Sequence, residues 1–350
     1  MTITLGSQAK ITLGSGRPAG PAPAKSRLHG PLCYIIRVNN PDTARPYLHL
    51  LPIERGELPG SWLHRIADRS ESGFRAFSKR FLDDKVRNSA GFDAYPTVTL
   101  LKKLGAVAPG SETEIVRDHT LLGTTQCFYE RANWVKYLAS MEESEMRGQK
   151  GSKSYGVEHW HICPKCRESE SATGIPTFQR NPQIPGIRYC WLHGVPLALV
   201  TNTKTRSSAP PLDKDLDRSV TKPVLSSNRE PQHIQLAKDL SEAFNAGLPH
   251  LGPQGLNAAI FQMLGNVGLL KPRTQTNLPW AKMLQQIRAT FGEDIFIETE
   301  LLFALRRVKQ GLFFKRPTPD SMVLLALLTR SFGKPLAEFF KDGVQHQAAL

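Results

Sequence analysis

Acidic residues are in short supply. The 350-residue chain carries 31 Asp and Glu against 45 Lys and Arg, a formal net charge of +14 with histidines neutral. That excess points to a polyanionic partner, nucleic acid being the commonest, although a basic surface without a ligand gives the same arithmetic. Cysteine is scarce too, at five residues, and nothing marks the chain for secretion. Its opening, MTITLGSQAKITLGSG, lacks the charged-then-apolar order of a signal peptide. A reducing, cytoplasmic, nucleoid-associated setting is therefore expected. The chain also lacks the run of about 18 apolar residues that a membrane helix needs, so no span is expected. Several catalytic signatures are missing: no G-x-x-x-x-G-K-[ST] loop to cradle phosphates, no H-E-x-x-H, and no H-x-E ahead of the P-x-C step. What remains is a globular composition, 40% hydrophobic and 22% charged, enough for two or three small domains.

The chemistry that is present concentrates in 157–200. Cys163 and Cys166 form a C-x-x-C, and Cys190 and His193 a C-x-x-H, with 23 residues between the half-sites. Two residues between ligands let one tight turn aim both side chains at a single point, and two such turns make a tetrahedral site suited to Zn²⁺. Four protein ligands fill the sphere, so the metal is expected to be structural. Unrelated buried thiols and a disulfide are the competing readings. His159 and His161 stand just upstream as competing ligands or as neighbours of the site. Gly186 and Gly194 suit the turns.

The residues HICPKC and IPGIRYCWLHGVPL resemble the zinc motif of the TniQ/TnsD family, target-site selectors of Tn-type DNA transposons. The match runs through Cys163, Pro164, Cys166, Pro185, Gly186, Cys190, His193, Gly194 and Leu197. Trp191 departs from it, as does the spacer at Thr177 to Gln179; neither change touches a ligand. Glu57, Ser61, Trp62, Leu63, Arg65 and Ala67 resemble the family's opening helix, and Thr120 and Leu121 its T-L step. The resemblance covers about 50–342.

In chain order, 1–45 is expected to be a disordered basic arm, rich in Gly, Ala, Pro and Ser, with an apolar run of strand length at 32–38. Residues 46–150 are expected to be helical. Leu58, Trp62, Leu63, Ile66 and Ala67 make one apolar face, with Arg65 either a phosphate contact or solvated. Phe74, Phe77, Phe81 and Leu82 mark a second helix. Residues 97–122 have the plan of a helix-turn-helix, with Ser111 and Glu114 as a capping box. Its second helix carries Glu112, Glu114, Arg117, Asp118 and His119, so DNA reading and protein contact stand level. Trp134, Tyr137 and Leu138 face inward from a long helix. The zinc segment occupies 151–200 and a linker 201–232, with a helical domain over 233–350. Within that domain Arg306, Arg307, Lys309, Lys315 and Arg316, interleaved with Phe313 and Phe314, are the candidate DNA-backbone contacts; no acidic residue interrupts 301–319.

The expected fold is mainly α: helix-turn-helix-containing helical domains around a Cys3His zinc finger. The resemblance implies a non-enzymatic, zinc-stabilised adaptor that binds double-stranded DNA, marks an insertion site, and recruits an AAA+ ATPase regulator and through it a transposase. Some relatives dock on an RNA-guided effector complex instead. The alternatives are a zinc-dependent nuclease or hydrolase, and a protein-only scaffold.

Overall fold

Leu58, Trp62, Leu63, Ile66 and Ala67 recur at helical spacing, and the structure places a helix there, α1 (Pro59–Arg69). Proline at its first position loses no hydrogen bond, because that N–H has no partner in a helix anyway. All five apolar side chains are buried. The computed structural model describes residues 2–5, 9–14, 34–38, 47–50, 53–69, 112–146, 160–173, 177–200, 220–221, 229–270, 278–297, 317 and 319–348. Helices make up most of them.

The polar side of α1 corrects one expectation. Arg65 is neither solvated nor offered to phosphate; it is 7% exposed and ion-paired with Glu57, which is wholly buried. Its Nε donates to Glu57 Oε1 at 2.8 Å and its Nη2 to Oε2. The Ser61 hydroxyl and the Glu54 N–H donate to the same carboxylate at 2.8 and 2.9 Å. Glu57, Ser61 and Arg65 are four residues apart, so they stack along one side of the helix start. The Phe178 N–H in turn donates to Ser61 Oγ at 2.9 Å, and the Leu58 N–H to the Phe178 carbonyl at 2.8 Å. This network ties α1 to the zinc segment.

A second expectation also changes. β1 (Thr2–Leu5), β2 (Ala9–Gly14), β3 (Tyr34–Val38) and β4 (Tyr47–Leu50) form an antiparallel four-stranded sheet in chain order, where a structureless arm was expected over 1–45. Thr-Ile-Thr-Leu and Lys-Ile-Thr-Leu alternate and are rich in β-branched residues. That is a strand signal which the surrounding Gly, Pro and Ser obscured. β3 falls inside the apolar run at 32–38.

The helix expected around Phe74 to Leu82, and the first helix and turn of the expected helix-turn-helix near 97–111, lie outside the described residues. Its second helix is α2 (Glu112–His119). Ile115 and Val116 are buried. The Arg117 guanidinium donates twice to the neighbouring Asp118 carboxylate, both at 2.6 Å, and the His119 ring bonds the Glu57 carbonyl through Nδ1 at 2.9 Å. Thr120 ends α2 by donating to the Val116 carbonyl at 2.7 Å. The chain then turns directly into a 3-10 helix, Leu122–Phe128. A Cβ on Gly123 would sit 2.5 Å from the Val116 carbonyl oxygen and 2.6 Å from that of Arg117, so only glycine permits this close turn. α3 (Arg131–Met146) follows, with Trp134 and Leu138 buried and Tyr137 half-buried.

The zinc segment contributes β5 (Trp160–Ile162), α4 (Pro164–Thr173) and β6 (Ala198–Val200). β6 pairs with β5 on one side and with β7 (Val220–Thr221) on the other; β7 comes from the stretch expected as a linker. The chain continues as α5 (Glu230–Ala246), α6 (Gly252–Asn266), α7 (Trp280–Phe291), α8 (Asp294–Ile297), α9 (Pro319–Ser331) and α10 (Leu336–Ala348). Every residue of α9 from Met322 to Leu328 is buried. A helix that is apolar all round must lie inside, and α5, α7, α10 and the 3-10 helix pack around it. One core holds Cys163, Ile187, Cys190 and Leu197 together with Leu236, Leu240 and the α9 side chains, so residues on both sides of 201–232 bury one another. The buried Gln126 amide reinforces this by donating to the Leu248 carbonyl at 2.8 Å.

Two predictions follow from the Glu57 region. Glu57→Gln removes the counter-charge of a buried guanidinium, which should cost about 3–5 kcal/mol in urea unfolding, with part recovered in Glu57→Gln/Arg65→Met. His119 is pushed below the ordinary histidine range by burial, partly offset by its bond to Glu57. Its folded pKa lies below the unfolded one, so its contribution is full above about pH 6.5 and is lost as pH falls toward the folded value. Thermal melts should show that acid limb, and His119→Gln should make it shallower.

Candidate metal centre

The first half-site is a strand end running into a helix start. Cys163 follows β5, and Pro164 opens α4, which carries Cys166 in its first turn. The Arg167 N–H donates to the Cys163 carbonyl at 3.0 Å, and the Cys166 N–H points to Cys163 Sγ at 3.4 Å. The second half-site is a tight hairpin. Tyr189 bridges Pro196, the Cys190 N–H donates to the Val195 carbonyl at 2.9 Å, and the Gly194 N–H returns to the Cys190 carbonyl at 2.9 Å. Gly194 takes φ of 62°, a left-handed value that a side chain would strain.

Two side chains bring the half-sites together. The Gln183 amide acts as a strand neighbour of β5, donating to the His161 carbonyl at 2.7 Å and accepting from its N–H at 3.0 Å. Glu170 of α4 accepts from the Thr177 N–H and hydroxyl at 2.9 and 3.0 Å, which fixes the chain's return after the helix. Arg167 lies over the Phe178 ring at 5.0 Å.

Cys163 Sγ, Cys166 Sγ, Cys190 Sγ and a His193 ring nitrogen all lie within 4.8 Å of one another. A tetrahedral zinc with bonds of about 2.3 Å to sulfur and 2.0–2.1 Å to nitrogen separates its ligands by about 3.8 Å for sulfur to sulfur and about 3.6 Å for sulfur to nitrogen. Cys166 and Cys190 sulfurs are 3.8 Å apart. His193 Nδ1 lies 3.5, 3.3 and 3.7 Å from Cys163, Cys166 and Cys190. The donor set and spacing are those of a closed tetrahedral site. Hydrogen bonds from Cys166 and Cys190 push the Cys163 thiol down, and its contact with Cys163 pushes Cys166 up. Sulfurs this close cannot all keep a negative charge unless a cation sits among them. Cys127, Cys163, Cys166 and Cys190 are free of disulfides. Cys163 and Cys190 are buried; Cys166 and His193 are half-buried. His161 is not one of the four, and His159 lies outside the described residues.

Arg306, Arg307, Lys309, Lys315 and Arg316 also lie outside the described residues. The functional-looking group that the sequence reading did not find is Arg180, enclosed between α2 and α5. Among the described residues no helix is long and apolar enough to cross a membrane.

Residues 50–197 match the family model of the TniQ domain. The domain runs from the end of β4 through the second half-site and contains all four clustered ligands. No curated protein matches the chain.

Replacing Zn²⁺ by Co²⁺ in the purified chain should give the intense visible absorption of a tetrahedral thiolate site, at one ion per chain. Cys190→Ser should abolish that absorption and lower the thermal midpoint, measured by circular dichroism, because ligand binding energy here is folding energy.

Proposed function

We propose that this TniQ-domain chain is a zinc-stabilised, DNA-binding targeting adaptor of a Tn-type transposition system. The observation that carries the reading is the coincidence of the TniQ domain, 50–197, with a closed Cys3His cluster inside it. The adaptor selects the insertion site and recruits an AAA+ ATPase regulator, which engages the transposase. Zn²⁺ at Cys163, Cys166, Cys190 and His193 holds the second half-site against the C-terminal core and takes no part in chemistry. A zinc hydrolase needs an open coordination position for water, and a full set of four protein ligands leaves none.

Double-stranded DNA is the polyanion that the +14 charge matches. The cations for it are Arg306, Arg307, Lys309, Lys315 and Arg316. α2 is the weaker candidate for groove reading. Arg117 is turned onto Asp118 and His119 onto the protein's own Glu57 carbonyl, an arrangement that suits protein contact better than base readout.

Duplex binding across a salt series tests the reading. Affinity should fall steeply with salt, and Arg306→Ala/Arg307→Ala/Lys315→Ala should reduce the log–log slope by roughly one unit for each lost contact. Absence of duplex binding even at low salt would defeat direct DNA recognition and leave docking on an RNA-guided effector complex or protein partner.

A further inference from the structure

A cleft of about 620 Å³ lies beside the metal centre, between the 53–56 loop, the end of α2, residues 179–181 and the C-terminal end of α5. The volume falls within the range of about 300–1,000 Å³ typical of compact ligand sites. Its wall holds Arg180, which is 4% exposed. The guanidinium lies over the Phe244 ring at 4.7 Å, donates through Nη1 to the Arg117 carbonyl, and donates through Nε to Asn181 Oδ1 at 3.3 Å. Those partners are neutral. The buried Arg65 and the partly buried Arg330 have carboxylates in direct contact, Glu57 and Asp239. Arg180 has no such ion pair among the described residues. Burial pushes it down to about 10, which leaves it charged at neutral pH.

A buried cation whose hydrogen-bond partners are neutral, and which Asp118 attracts without an ion-pair contact, sits on the wall of an open cleft and is complementary to a planar oxyanion arriving from outside. The rest of the rim selects among oxyanions. Asp118 stands there with Arg117, and the last carbonyls of α5 open on the same edge, where Arg55 takes that of Asn245 at 3.3 Å. A phosphodiester backbone has no donor for these acceptors, whereas a peptide brings its N–H groups to them. Trp191 and Phe244 supply apolar wall for a neighbouring side chain.

We propose that this cleft binds an acidic peptide segment of a partner protein, one carboxylate on Arg180 and an adjacent apolar residue against Trp191 and Phe244. The site concerns a protein-facing surface of the adaptor and does not depend on how the chain engages DNA.

Asn181→Asp tests the site with little risk to the fold. It places a carboxylate where an amide already accepts from Arg180 and lies 3.4 Å from the Ser241 hydroxyl, supplying from within the charge that the peptide would bring. Fluorescence polarisation on the full chain would use a fluorescein-labelled hexapeptide Ser-Asp-Leu-Asp-Phe-Gly, its Asn-for-Asp twin, and a labelled six-base oligothymidine. The expected result is binding of the acidic peptide, weaker binding of its twin, and a loss of about tenfold or more in Asn181→Asp. Duplex binding by the same variant should keep the wild-type salt slope, which separates this site from the DNA reading. Equal peptide binding by wild type and Asn181→Asp, tighter binding of oligothymidine than of peptide, or no peptide binding by the wild type would each overturn the proposal.

Discussion

Three sulfurs and an imidazole nitrogen held within 4.8 Å of one another are the constraint on which the middle of this protein depends. Such a group is repulsive by itself once the thiols ionise, and a tetrahedral cation turns the repulsion into binding energy. The fold prepares the arrangement with little regular structure. A strand end and a helix start aim Cys163 and Cys166, and a hairpin closed by Gly194 aims Cys190 and His193. Between them the Gln183 amide and the Glu170 carboxylate do what a sheet ladder would do in a larger domain. Residues 177–200 contain only one short strand; their shape is fixed by side-chain bonds and the four ligands.

The cluster is not an appendage. Cys163, Ile187, Cys190 and Leu197 belong to the same core as Leu236, Leu240 and the wholly buried α9. Loss of the ligands therefore exposes apolar surface of the C-terminal helices as well as that of the knuckle. At the other end, Ser61 and Leu58 bind the Phe178 backbone, so α1 and its Glu57–Arg65 pair lean on the same segment. The N-terminal helix and the C-terminal bundle meet through the stretch that carries the Cys3His cluster.

Sequence reading found what local spacing encodes. The clustering of Cys163, Cys166, Cys190 and His193 was legible because two C-x-x-C/H turns are a short-range pattern, and the α1 face was legible because five apolar residues follow a helical period. Arg65 was misread because its carboxylate partner lies eight residues back, ahead of the helix; the Glu57-Ser61-Arg65 spacing was the available signal. β1 and β2 were missed because composition was weighed over alternation. Arg180 could not be found at all. Its cleft is assembled from segments near 55, 118, 180, 191 and 244, and no local pattern records that they meet. In the helix-turn-helix reading, α2 is where the sequence placed it; its partner helix lies outside the described residues.

Those ion pairs also bear on the proposal that the chain binds DNA. Arg65 and Arg330 are ion-paired with Glu57 and Asp239, and each pair cancels in the net charge. Arg117 is matched by Asp118 in the same way. The +14 excess is therefore carried by other cations. Long-range attraction of a polyanion scales with that excess, but contact requires cations free to release counterions at the surface. Within 50–197, Arg65 and Arg117 are held by carboxylates of the same chain, and Arg180 lies on the wall of a recessed cleft. The DNA interface proposed above therefore draws on the stretch 301–319, where no acidic residue interrupts the cations.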